Sequence, residues 1–133
     1  MIKVISFVFP LLCVLASNNI IAQIVINEYS GANYDSFQDN YGESEDWLEL
    51  YNSSSAPVDL NGWFLSDKVS NANKWSFPSS FVIPANGVGI IYCSGRDEIT
   101  PNGNAHTNFK ITQTKGNEVL ILSDNNGTLL DSV

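Results

Sequence analysis

Asp46-Trp47-Leu48-Glu49-Leu50-Tyr51-Asn52 puts Leu48 and Leu50 on one side of an extended chain and Trp47, Glu49 and Tyr51 on the other. A period of two is the mark of a half-buried β-strand. Ser53-Ser54-Ser55-Ala56-Pro57 ends it, since Pro and Ser break the pattern. Val58-Asp59-Leu60-Asn61-Gly62-Trp63-Phe64-Leu65-Ser66-Asp67 then supplies a second strand over 60–66, with Gly62 at a bulge or close approach.

Working outward, residues 23–29 read as an opening strand. Residues 74–77, 81–83 and 88–93 are short strands punctuated by Pro78, Pro84 and Ala85-Asn86-Gly87. Residues 108–112 are expected to pair with 118–123 across Lys115-Gly116-Asn117. Asp124-Asn125-Asn126-Gly127 is a hairpin turn into a last strand at 128–133, because Asn and Gly accept positive φ. Residues 30–44 and 94–107 read as polar loops. No segment after residue 22 carries a helical period. Apolar runs broken every eight to twelve residues predict an all-β sandwich or barrel.

The start of the chain follows a different logic. Met1-Ile2-Lys3 is followed by an almost wholly apolar run over 4–16, and Ile20-Ile21-Ala22 offers a small residue at a cut before Gln23. This is the layout of a secretory signal peptide over 1–22, leaving a domain over 23–133 that is secreted or displayed on the cell surface. The run is shorter than the roughly 20 residues that span a bilayer, and no later stretch is apolar enough to cross one. A lipid anchor at Cys13 is disfavoured by the large Leu12 before it. The sequence stops on its last strand, which suggests the front of a longer protein.

Removing 1–22 takes away Lys3 and no acid, so the formal net charge moves from −8 to −9. Between Asn27 and Asp67 there are nine acids and no Lys or Arg. Such a surface repels nucleic-acid phosphates and anionic lipid. Cys93 is the one cysteine left after the leader, so the domain has no internal disulfide and must rest on its core. Cys93 ends the apolar run 88–92 and reads as a buried strand thiol.

Across residues 24–133 the chain resembles the lamin tail domain. The resemblance rests on Ile26-Asn27-Glu28, the 46–52 strand, Val58-Asp59-Leu60-Asn61-Gly62-Trp63 with Leu65-Ser66-Asp67, and Lys74-Trp75-Ser76-Phe77-Pro78. It continues through Ile83-Pro84-Ala85-Asn86-Gly87, Asn108-Phe109-Lys110-Ile111 and the 118–124 run. It implies an immunoglobulin-like β-sandwich that attaches or recognises and does not catalyse. With a secretory leader and no heptad repeat, the chain is more similar to secreted bacterial members than to nuclear filament proteins. In those members the domain accompanies exported nucleases, phosphoesterases or surface modules. A catalytic part beyond residue 133 is therefore one expectation. The DNA contacts associated with basic lamin tails do not transfer to so acidic a chain.

Candidate sites follow from residue chemistry. Tyr34, Phe37 and Tyr41 lie in a polar loop that needs no core residues, so they are the expected contact surface for a protein, cell-surface component or carbohydrate. Asp35, Asp39, Glu43, Glu45 and Asp46 offer the hard oxygens that Ca²⁺ takes, although no EF-hand spacing is present and a solvated loop explains them as well. No other cofactor is indicated. Glu28 and Glu49 lie within strands, where structural roles such as accepting backbone N–H groups are expected rather than a glycosidase pair. His106 is the only histidine, in a loop, without a Gly-x-Ser-x-Gly elbow. One His and one Cys cannot form a usual zinc site. Trp63 and Trp75 are expected in the core. Nothing in the chain predicts an enzyme within residues 23–133.

Overall fold

The computed structural model describes residues 23–35, 37–111 and 119–133. The leader expected at 1–22 and the turn expected at 115–117 lie outside them. The strands are β1 (Ile24–Ser30), β2 (Trp47–Asn52), β3 (Val58–Asp59), β4 (Phe64–Ser66), β5 (Trp75–Ser76) and β6 (Val82–Ile83). They continue with β7 (Val88–Tyr92), β8 (Glu98–Ile99), β9 (Ala105–His106), β10 (Ile121–Ser123) and β11 (Leu129–Ser132), and a 3-10 turn spans Val69–Asn71.

One sheet runs β1-β2-β7-β9-β8, a second runs β11-β10-β4-β5, and β3 pairs with β6. All pairings are antiparallel except β7 with β9. The alternation of 46–52 is realised as expected: Leu48 and Leu50 are fully buried, with Trp47, Glu49 and Tyr51 on the outer face. Ile24, Leu65, Trp75, Phe77, Ile83, Ile91 and Leu122 complete the core. Each fully buried aliphatic side chain stabilises the fold by roughly 1.5–3 kcal/mol. Trp75 packs on Phe77 with ring centroids 4.6 Å apart, and Trp63 is half-buried against the same cluster. Cys93 is buried in this core, and burial pushes its thiol pKa up, so it is the inert thiol expected of a strand end.

Two polar devices hold the layers. Asn52 is fully buried, and its Nδ2 lies 2.8–3.1 Å from the carbonyls of Ala56, Ile83 and Pro84. Its Oδ1 accepts from Ser54 N and Oγ. The turn after β2 is thereby tied to the turn after β6. On the far seam, Ile26 N donates to Asp131 Oδ2 at 2.8 Å, joining the edge strands β1 and β11 of opposite sheets. Gly89 permits a close approach, since a Cβ there would lie 2.9 Å from the Phe81 ring.

Three expectations need correction. The strand expected over 60–66 is confined to β4, with β3 ahead of it, because Asp59 Oδ1 accepts from Asn61 N and Phe81 N and Gly62 turns at φ +77°. Burial opposes ionisation of Asp59, yet bonds from Ser80, Asn61 and Phe81 prevail and hold its pKa below the ordinary carboxylate value. The 94–107 segment is not wholly loop, since it contains β8 and β9. Residues 108–111 form no strand; instead β10 pairs with β4 and β11. The hairpin turn at 124–127 forms as read, with Gly127 at φ +79°.

Candidate functional site

The register of the five-stranded sheet lines up Ser30, Trp47, Tyr92, His106 and Glu98 as one row across all five strands on its outer face. The acidic loop, residues 31–46, lies along that row. Its shape comes from two buried side chains. Asn33 Nδ2 donates to the carbonyls of Phe37 and Glu45, and its Oδ1 accepts from Phe37 N. Asp39 Oδ1 accepts from Tyr41 N at 2.8 Å and Glu43 N at 3.0 Å, closing a turn in which Gly42 sits at φ +78°. Buried polar groups hold loops in this way because leaving them unpaired costs about 1–3 kcal/mol each.

Phe37 docks on Trp47 and Tyr92, with centroids 5.5 and 6.0 Å away. Asn40 Oδ1 lies 2.8 Å from His106 Nε2, and His106 Nδ1 lies 2.9 Å from Ser94 Oγ. With Asn40 Oδ1 accepting, Nε2 carries the proton, and Nδ1 accepts from the Ser94 hydroxyl. His106 is completely inaccessible, sandwiched between Tyr92 and Tyr41. Burial lowers its pKa, against the opposing pull of Asp39 and Glu98. Tyr41 carries the Arg96 guanidinium 4.3 Å above its ring and donates its hydroxyl to Glu98 at 2.7 Å. That bond to Glu98 raises the Tyr41 pKa. Lys110 pairs with Glu45 at 2.9 Å, at the rim of an open cleft of about 320 Å³ beside Tyr34.

The three aromatic residues singled out from sequence therefore share a loop but not a task. Tyr34 is 83% exposed and lines the cleft, whereas Phe37 and Tyr41 brace the loop on the sheet. Of the carboxylates, Asp39 and Glu45 are engaged internally. Asp35 and Glu43 are exposed, and Asp46 lines the cleft with Glu45. Among the described residues no three His, Cys, Asp or Glu side chains gather as a metal-binding group. Glu28 and Glu49 stand opposite each other on the outer face, and Glu49 accepts from the Asn27 amide rather than from backbone. His106 is a buried strand residue rather than a loop residue. The Ser94–His106 pair has nucleophile–base spacing, but Ser94 is 6% exposed and its histidine is sealed, so no substrate reaches it.

Asn33 and Ser94 escape sequence reading, and so does the pairing of Asn40 with His106. The available signal was Asp39-Asn40-Tyr41-Gly42, a turn-forming run. Nothing in the sequence placed His106 beneath it.

Two packed sheets around one core, with a polar loop braced outside, define an immunoglobulin-like β-sandwich. The Lamin Tail Domain family matches residues 18–133, and the chain belongs to that family. Its fold is non-enzymatic. No curated protein matches the chain. No helix among the described residues is long and apolar enough to cross a membrane.

Proposed function

We infer that this lamin tail domain is a secreted, non-catalytic binding or anchoring module of bacterial type, which positions an attached or associated protein at the cell surface. The observation that carries the reading is the contrast within the 31–46 loop. Its interior is locked by Asn33, Asp39 and Phe37, while the Tyr34 ring stands almost fully in solvent. A rigid loop presenting a bare aromatic loses little entropy on binding. The leader at 1–22 supports export, and the acidic surface disfavours nucleic acid.

The test is a fusion of the chain to a reporter enzyme, scored for retention on the surface of the producing cells. Tyr34→Ser should cut retention by at least about tenfold, the loss of one anchoring aromatic, with melting unchanged. Undiminished retention in that variant removes the loop from the function. The intact mass of the secreted product tests the cut before Gln23.

The cleft favours a second reading, a carbohydrate or surface-polymer binder. Tyr34 can stack on a sugar ring, while Glu45, Asp46 and Lys110, which line the same cleft, exchange hydrogen bonds with hydroxyls. Ca²⁺ would enter only through Asp35, Asp39, Glu43, Glu45 and Asp46. Glycan-array binding lost on Tyr34→Ser supports this reading. A melting temperature indifferent to millimolar Ca²⁺ removes the metal from it.

A further inference from the structure

The outer face of the five-stranded sheet has two further rows beyond the one that the loop covers. The sheet register aligns Glu28, Glu49 and Ile90 in one, and Val25, Tyr51 and Val88 in the other. The ring contacts of the loop's Phe37 and Tyr41 fall on Trp47, Tyr92 and His106, not on these rows. Val88 is 48% exposed, and Val25, Tyr51 and Ile90 are half-buried. A partly exposed apolar strip therefore lies beside a pair of carboxylates.

The pair is unusual in its own right. Glu28 and Glu49 are directly opposite across β1 and β2, the arrangement in which like charges destabilise a sheet. Among the described residues, the recorded ion pairs are Lys74–Asp67 and Lys110–Glu45, and Arg96 lies over Tyr41. None relieves Glu28 or Glu49. Among the described residues, the side-chain hydrogen bond to this pair is the neutral one from Asn27 to Glu49 at 2.8 Å. The face thus joins an uncompensated double negative charge to aromatic and aliphatic neighbours, and this selects its occupant. A second copy of the chain would set acid against acid. Phosphate polymers and anionic lipid are repelled for the same reason, and a neutral glycan leaves the charges uncompensated. A guanidinium satisfies a carboxylate with two parallel hydrogen bonds and can stack on Tyr51.

We propose that this bare face docks an extended, basic segment of a partner protein, its Arg or Lys side chains on Glu28 and Glu49 and its aliphatic side chains on Val25, Tyr51 and Val88. The segment lies on the face and does not extend the sheet. The free edge of β1 is blunted by a register shift between Ile26 and Glu28, and Ile26 N is already held by Asp131. Successive rows on a sheet face are about 7 Å apart, the spacing of every second residue in an extended partner. A matching segment alternates a cation and an aliphatic residue at those positions. This surface is separate from Tyr34 and does not rest on the loop reading.

The test titrates the isotope-labelled chain with three synthetic peptides of about ten residues, long enough to cross the rows at about 3.4 Å per residue. One carries Arg and Val alternately at every second position with Ser between, the second has Glu for Arg, and the third has Ser for Val. The Arg–Val peptide should shift the amides of Glu28, Glu49, Tyr51, Val88 and Ile90. Its affinity should fall at least about tenfold in the Glu28→Gln/Glu49→Gln variant and about threefold in Val88→Ser, and it should weaken as salt screens the charges. Tyr34→Ser should leave it unchanged, so failure of the loop reading and failure of this one are distinguishable. The proposal is overturned by shifts confined to 31–46, by equal binding of the Glu peptide, by undiminished affinity in the double variant, or by no shifts at millimolar peptide.

Discussion

One sheet face is finished in two ways. At one end, the row from Ser30 to Glu98 is roofed by Phe37, Asn40 and Tyr41, and every polar group on His106 is satisfied. At the other, Glu28 faces Glu49 and Val88 is open to solvent. Both ends share β1, β2 and β7 with the same alternation, and the roofed row continues across β9 and β8. The difference is the loop, which inserts just where β1 gives way to β2 and so reaches only the nearer row. Aromatic residues on a sheet's outer face become structural where a loop arrives, and remain available where none does.

The largest expected effect treats both ends alike. Leu48→Ala empties the core beneath the sheet and should cost about 2–5 kcal/mol in urea unfolding. Amides at both ends should lose protection together; separate loss would show the sheet to be less cooperative than its shared core implies. Asn33→Ala sharpens the contrast. It strands the Glu45 carbonyl and both backbone groups of Phe37, so a loss of about 1–3 kcal/mol is expected. Hydrogen exchange should accelerate across 37–46 and stay unchanged at Val88–Tyr92.

Acid should also reach the roofed end first. The buried His106 has its pKa lowered in the fold, so as pH falls the unfolded chain takes up the proton sooner. Its contribution is whole above about 6.5 and is lost as pH drops below that value toward the folded pKa. The stability change between about pH 7.5 and 5.5 should flatten in His106→Gln. An identical slope in the variant would place the titration elsewhere. Asp59 and Asp124, both depressed, act later, below the ordinary carboxylate range near 3.9. In Asp124 the main cause is the bond from Thr128 N.

The smallest effects belong to the open end. Glu28→Gln removes a like-charge pair and should raise stability by about 0.2–1 kcal/mol, read as a higher urea midpoint at low salt. A fall would mean that Glu28 makes a favourable contact. Val88→Ser should remain within about 0.5 kcal/mol of the parent.

The amino-acid sequence by itself determined the sandwich, the strands β1, β2 and β7, the turn at 124–127, the burial of Trp75 and Cys93, and the family. The strands, the turn and the burial follow from local signals: side-chain alternation, Gly and Asn in turns, and apolar runs of strand length; the sandwich rather than a barrel follows from the family resemblance. The sequence also singled out the 31–46 loop, because three aromatics in a polar stretch need a reason. It did not separate Tyr34 from Phe37 and Tyr41, or reveal β8, β9 and the split of β3 from β4. Strands of two residues carry no period to read. Only the tertiary structure put His106 beneath Asn40, 66 residues earlier in the chain, and set Glu28 opposite Glu49. Those partners are chosen by strand register and loop path, and both are settled by how the sheets bury Leu48, Leu50 and Ile91 together.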